Sequence, residues 1–162
     1  MFEKDTRKRV KGDRRISMNH FDTQMSDQPL LVHRFPAQAK NLKDIRAKVR
    51  GTLMERGFGT DIIEHIVIAI DEACQNIIRH AYGKETEEKI VLHIHYHPQA
   101  LEITLRDYAP HVTMNCIQPR DLKDVRPGGL GGHFIHQTMN EITLEHAPDG
   151  NGNILRMMKQ FA

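Results

Sequence analysis

Cysteine is scarce in this chain. Cys74 and Cys116 are the only two, forty-two positions apart and without CxxC spacing, which excludes a disulfide framework and a cysteine-rich zinc site. Long apolar runs are missing as well. The longest uncharged apolar stretch, Ile66 to Ile70, is far shorter than the about 20 residues that cross a bilayer as a helix. No membrane span is expected. Met1 to Lys8 carry charges of both signs with no apolar segment behind them, so they do not read as a secretory signal, and a cytoplasmic protein is expected. There is also no GxGxxG after a strand and no GxxxxGK[ST] loop, which disfavours the Rossmann and P-loop modes of nucleotide binding. No internal repeat is visible.

What is present is an ordinary globular composition. The 162 residues correspond to about one domain, and 39% hydrophobic with 27% charged residues is neither a disordered nor a fibrous mixture. The net charge of +2 is unevenly placed: residues 1–15 hold seven basic side chains against three acidic ones. Residues 1–27 lack apolar periodicity and cannot bury enough surface to offset the entropy of ordering, so a flexible basic arm is expected ahead of one domain over 28–162. A nucleic-acid partner for that arm is conceivable from its charge, but a solvated tail is the simpler reading, and nucleic acid is not an expected partner.

Leu30 to Phe35 predict a short strand stopped by Pro36. Leu42, Ile45, Val49, Leu53 and Met54 recur at helical spacing until Gly57. A second helix is expected from Asp61 as N-cap to about His80, with Ile62, Ile63, Ile66, Ile70, Ala73, Cys74, Ile77 and Ile78 as its apolar stripe and Gly83 as its stop. Glu72 and Asn76 would face outward, one turn apart. Alternation from Ile90 to Tyr96 and from Leu101 to Leu105 predicts a hairpin turning at Pro98 to Ala100. Residues 108–127, with three prolines, are too long for an idle connection and read as a lid. A glycine run opens a helix bearing Phe134, Ile135 and Met139, and two strands, 141–147 and 153–160, close the chain.

Three features carry chemistry. A carboxylate at Glu72 can take a hydroxyl proton, and the Asn76 amide oxygen can ligate a hard cation, although a solvated helix face explains a lone pair equally. Asp107, at a strand end, can accept from the exocyclic amine of a purine, or simply form a turn. Gly128, Gly129, Gly131 and Gly132 at a helix start permit close backbone approach, and a helix N-terminus with about +0.5 of a charge attracts phosphate. His93, His95 and His97 share a strand face, but outward strand faces host polar residues anyway, and no metal site is inferred.

In combination, the words IDEACQNIIRHAY at 70–82, LRDYAP at 105–110, RPGGLG at 126–131 and NILRMMK at 153–159 are more specific than any one of them. A helix with ExxxN, a strand ending in Asp, a proline-rich loop and GGLG at a helix start resemble the GHKL, or Bergerat, ATP-binding family. Within it the chain is similar to the anti-sigma factor serine kinases of the RsbW and SpoIIAB type. The resemblance spans about Pro29 to Phe161.

It implies an α/β (α+β) two-layer sandwich, with a mixed, mostly antiparallel sheet covered on one face by helices. It further implies ATP and Mg2+ as cofactors. Glu72 would be the general base toward a serine or threonine hydroxyl, Asn76 would hold Mg2+, Asp107 would receive the adenine amine, and Gly129, Leu130 and Gly131, flanked by Gly128 and Gly132, would wrap the phosphates. His80, one turn after Asn76, lines the site or merely caps its helix; Arg126 reaches a terminal phosphate or stays an idle loop arginine. The implied partners are a STAS-type anti-sigma antagonist and a sigma factor or similar regulator, with a homodimer among the implied assemblies. The family word AspxGly has Ala109 in its last place, where a left-handed backbone would cost alanine about 1–2 kcal/mol more than glycine. If the site were degenerate there, the alternative is a non-catalytic module that sequesters its partner.

Overall fold

The computed structural model describes residues 28–112 and 130–161. The basic arm, Cys116 and most of the expected lid lie outside the described residues.

Strand β1 (Leu31–Pro36) closes on the proline, which has no hydrogen to give to a ladder, and β1 forms one edge of the sheet. Helix α1 (Leu42–Glu55) buries Leu42, Ile45, Val49 and Leu53, the three-and-four spacing of a single face. It stops at Gly57 (φ +79°), where the Gly57 amide donates to Met54 O at 2.9 Å and the Phe58 amide to Leu53 O at 3.1 Å. That pair of bonds is a Schellman cap, and it needs the left-handed residue glycine supplies.

Helix α2 (Thr60–Asn76) starts two residues earlier than expected. Gly59, in extended conformation, is its N-cap, and Asp61 sits inside the first turn, where its charge still meets the positive end of the helix. The α-helical ladder ends at Asn76 and a π turn follows over Ile77–Ala81, so the expected single helix to His80 changes its winding in its last turn. Strands β2 (Lys89–His97) and β3 (Ala100–Asp107) form the expected hairpin, in which Val91 pairs with Arg106 and His97 with Ala100. Helix α3 (Leu130–Thr138) precedes β4 (Glu141–His146) and β5 (Asn153–Gln160).

The five strands lie in the order β1-β2-β3-β5-β4. Every pairing among the described residues is antiparallel, so the sheet is not mixed. Helix α2 packs against both α1 and α3, and the three form one layer over one sheet face. Ile90, Leu92 and Ile94 of β2, Leu101, Ile103 and Leu105 of β3, and Leu155 and Met157 of β5 point into that layer, where period-two alternation places them. Each is essentially inaccessible, so truncating one such side chain, Ile103 for example, to alanine would cost about 2–5 kcal/mol. The other face carries His93, His95, Thr104, Arg106 and Arg156, all half-buried. The architecture is thus the α+β two-layer sandwich expected.

Candidate functional site

The alternation that builds the core also builds the site. Leu101, Ile103, Leu105 and Asp107 are consecutive inward positions of β3, and the last one places a carboxylate where apolar residues precede it. Asp107 is 3% exposed. Its Oδ1 accepts from the Ala109 amide at 2.9 Å and from Asn153 Nδ2 at 2.9 Å. Both of these bonds land on Oδ1, and the Asn153 backbone also donates to the carboxylate. Burial pushes the Asp107 carboxyl above its ordinary value, while the bonds from Asn153 and Ala109, with Arg106 nearby, pull it partway back.

Asn153 is the inward residue at the start of β5 and the register partner of Asp107. It is fully buried and all its polar capacity is engaged: Nδ2 also donates to Pro110 O at 3.1 Å, and Oδ1 accepts from the Val112 amide at 3.1 Å. The segment after Asp107 is therefore pinned to β5 by one side chain. Gly152 makes this approach possible. Its φ is +97°, and a β-carbon there would lie 1.9 Å from the Asp107 carbonyl oxygen.

From the helix layer, Ala73, Asn76, Ile77, His80 and Ala81 line one cleft together with Asp107, Val112, Leu144 and Leu155. Asn76 does not face outward as expected; it is 8% exposed. Seven residues make nearly two turns, so Asn76 lies almost over Ala69 and beside Ala73, both fully packed. Those small residues were the signal available in the sequence, because they let the chain approach the helix closely on that side. The Asn76 amide has no side-chain hydrogen-bond partner among the described residues. The amide lines the cleft, where its oxygen is placed to meet a ligand. Glu72, one turn earlier, is half-buried and stands outside the lining of the cleft. Burial, and then Asp71, pushes its carboxyl up, and Arg79 opposes them.

The π turn brings His80 to the cleft wall, and Tyr82 bolts its end in place. The Tyr82 hydroxyl donates to Lys89 O at 2.7 Å and accepts from the Tyr108 amide at 2.9 Å. It thus ties the end of the helix to the start of β2 and to the residue after Asp107. π turns concentrate at functional positions.

Ala109 is buried beside Asp107, and no non-glycine residue among those described has a positive φ. The left-handed backbone that would penalise alanine is therefore not adopted, and the main ground for a degenerate site falls away. Leu130, Gly131 and Gly132 form the first turn of α3, as the glycine run predicts. Arg126, Gly128 and Gly129 lie outside the described residues. Asn153, Gly152 and Tyr82 were missed as site residues in the sequence. A polar residue heading the inward series Asn153, Leu155, Met157 was the legible sign of the first.

The cleft therefore offers a buried carboxylate oxygen, apolar walls at Ile77, Val112, Leu144 and Leu155 that suit a flat ring, and an unengaged amide oxygen. Such a set has the chemistry to meet an exocyclic amine and a hard cation.

The comparisons bear on the same segments. The family model described as histidine kinase-like ATPase domain matches residues 35–159. Serine-protein kinase RsbW from Bacillus thuringiensis (strain Al Hakam) is 32% identical over 121 residues, covering 70% of this chain and 75% of the relative. The protein of the same name from Bacillus cereus (strain B4264) matches to the same extent, 32% over 121 residues. Among solved structures, the RsbU and RsbW domains of Rv1364c from Mycobacterium tuberculosis superpose with a TM-score of 0.58 at 17% identity over 80% of this chain, which spans about a third (32%) of that one. The SiaB-SiaC complex from Pseudomonas aeruginosa gives 0.56 at 15% identity, over 81% of this chain and 89% of that one. Both likenesses are of fold.

Proposed function

The chain belongs to the histidine kinase-like ATPase domain family, and from that premise we propose that it is an ATP- and Mg2+-dependent protein serine/threonine kinase acting as a regulatory switch. Its acceptor in this reading is a hydroxyl of a STAS-type anti-sigma antagonist, and its second partner a sigma factor or similar regulator. In this reading the protein works in the cytoplasm, with a homodimer as its implied assembly. No helix among the described residues is long and apolar enough to cross a membrane.

The observation that carries the reading is the convergence of Asp107 and Asn76 on one cleft from opposite layers of the sandwich. Asp107 accepts the adenine amine while the Asn153 side chain and the Ala109 amide hold its Oδ1. Ile77, Val112, Leu144 and Leu155 exclude water from the base. Asn76 is the residue to hold Mg2+, which supplies charge stabilisation to the phosphates when bound. Gly128 to Gly132, a run that leads in sequence into α3, would wrap the phosphates, with Arg126 taking the terminal phosphate and His80 at the cleft wall. Glu72, one turn from Asn76 and outside the base cleft, meets the protein acceptor in this reading. It receives the hydroxyl proton as the hydroxyl oxygen bonds to the γ-phosphorus and ADP departs.

The test is phosphoryl transfer from labelled ATP to STAS-domain proteins of the native host, in parallel with calorimetry of ATP binding. Glu72→Gln is expected to slow transfer by about 100-fold or more with unchanged ATP affinity. Undiminished transfer by that variant would overturn the role of Glu72, and ATP binding without transfer to any STAS protein would overturn the kinase reading.

A further inference from the structure

A second hollow opens at the end of the sandwich opposite the base cleft. Leu30, Arg56, Gly57, Phe58, Tyr96 and Phe161 line a cavity of about 230 Å³. Tyr96 pairs with Leu101, and the Phe161 amide donates to Gln99 O at 2.8 Å, which sets the cavity beside the Ala100 end of β3. Asp107 closes the other end of that strand, about 24 Å away at about 3.4 Å per residue.

Three walls are aromatic. The Phe58 ring lies edge-on to Tyr96 at 6.0 Å and tilted against Phe161 at 5.5 Å. Tyr96 is 50% exposed, and leaving that much ring against water is unfavourable. A cavity of roughly 150 Å³ suffices for a benzene ring, so this one takes a phenyl side chain. At its rim Arg56, the residue that ends α1, is exposed, and its guanidinium has no ion pair or hydrogen bond among the described residues. The matching occupant is an aromatic ring with an anionic group beside it.

Leu30 is both a wall of this cavity and the point where the chain enters the fold. Its amide donates to Ile94 O at 2.7 Å, and Pro29, with no hydrogen to give, ends the pairing. The sequence just ahead carries the matching chemistry. Residues 16–27 hold no Lys or Arg, two aspartates, and the apolar Ile16, Met18, Phe21 and Met25, and Asp22 follows Phe21 directly. The nine positions from Phe21 to Leu30 span up to about 30 Å when extended, ample for turning back onto a cavity walled by Leu30.

We propose that this cavity is the seat of the chain's own N-terminal arm: Phe21 enters it and Asp22 pairs with Arg56. The inference stands apart from the kinase reading. By itself the arm buries too little apolar surface to offset the entropy of ordering. The aromatic walls supply the surface it lacks, and a short loop costs less entropy to close than a long one. Seated there, the arm leaves the base cleft free and holds the basic residues 1–15 at the far end of the sheet from it.

The chain contains no tryptophan, so Phe21→Trp in the full chain places a single indole at the anchor. Its emission is expected to be blue-shifted and weakly quenched by acrylamide, both unchanged on dilution. Reversing one charge, by Arg56→Glu or Asp22→Lys, is expected to lower the ratio of docked to free arm about fivefold, read from the indole's two lifetimes. Reversing both should restore it. A second measurement covers the case in which the larger ring does not fit: Phe21→Ala is expected to shift the amide resonances of Tyr96 and Phe161 and to leave those of Asp107 and Asn153 in place. An indole as accessible as in the urea-unfolded chain, with no shift at Tyr96 or Phe161 in Phe21→Ala, overturns the proposal. An indole that is shielded but indifferent to Arg56→Glu lies elsewhere and overturns it too. Shielding that is lost on dilution makes the arm of a second copy the occupant and overturns the intramolecular seat.

Discussion

Asn153 and Asp107 face each other across the β3–β5 pair, and the Asn153 amide donates to Asp107 Oδ1 at 2.9 Å. One buried side chain thereby orients the carboxylate, holds the Pro110 carbonyl and satisfies the Val112 amide.

Asn153→Ala should therefore weaken ATP binding about tenfold by calorimetry, because Asp107 would lose the side-chain bond that helps fix its orientation. The same variant leaves the Val112 amide and Pro110 carbonyl unpaired, and denaturant unfolding should show a loss of about 1–3 kcal/mol.

ATP affinity should fall as the pH is lowered, and at a higher pH than an ordinary carboxylate would set. Burial raises the Asp107 carboxyl, and its charged form is the one that accepts the adenine amine. Protonation on the way down through that raised value removes the acceptor. Asp107→Asn should bind weakly and show none of this dependence over the same range.

Gly152→Ala and Gly150→Ala should differ sharply, although both glycines have positive φ, +97° and +75°. A β-carbon at Gly150 meets open space, whereas at Gly152 it would lie 1.9 Å from the Asp107 carbonyl oxygen. Thermal unfolding should show a loss of about 1–2 kcal/mol for Gly150→Ala, and a larger loss together with weakened ATP binding for Gly152→Ala. Equal effects would contradict the close approach of the turn to β3.

Tyr82→Phe should cost about 1–3 kcal/mol, since the Lys89 carbonyl and Tyr108 amide both lose their partner. Burial, the largest cause, pushes the Tyr82 hydroxyl up to about 12 from an ordinary 10.0. The folded state then holds that proton more tightly than the unfolded chain does. Its contribution to stability is whole below a pH of about 10 and declines as pH rises toward about 12. The stability gap between wild type and variant should narrow over that window in unfolding measured against pH.

The periodicities of the chain were enough to place its elements. Leu42, Ile45, Val49 and Leu53 on α1, and the inward series of β2 and β3, are local patterns, and burying them demands a helix or a strand face whatever else the chain does. The Bergerat resemblance likewise rested on short words whose order along the chain is itself sequence. Whether Asn76 points out or in was a different matter. It depends on what packs against Ala69 and Ala73, and that is settled only when the helix layer closes on the sheet. The engagement of Asp107 by Asn153, forty-six residues away, the bolt from Tyr82 to the residue after Asp107, and the left-handed turn that lets Gly152 slide beneath the β3 carbonyl all join segments that meet only once the sheet has closed. Side-chain spacing on one element follows from the chain's own geometry, whereas the facing of one element by another is set by which buried surfaces fit together, and that is decided in three dimensions.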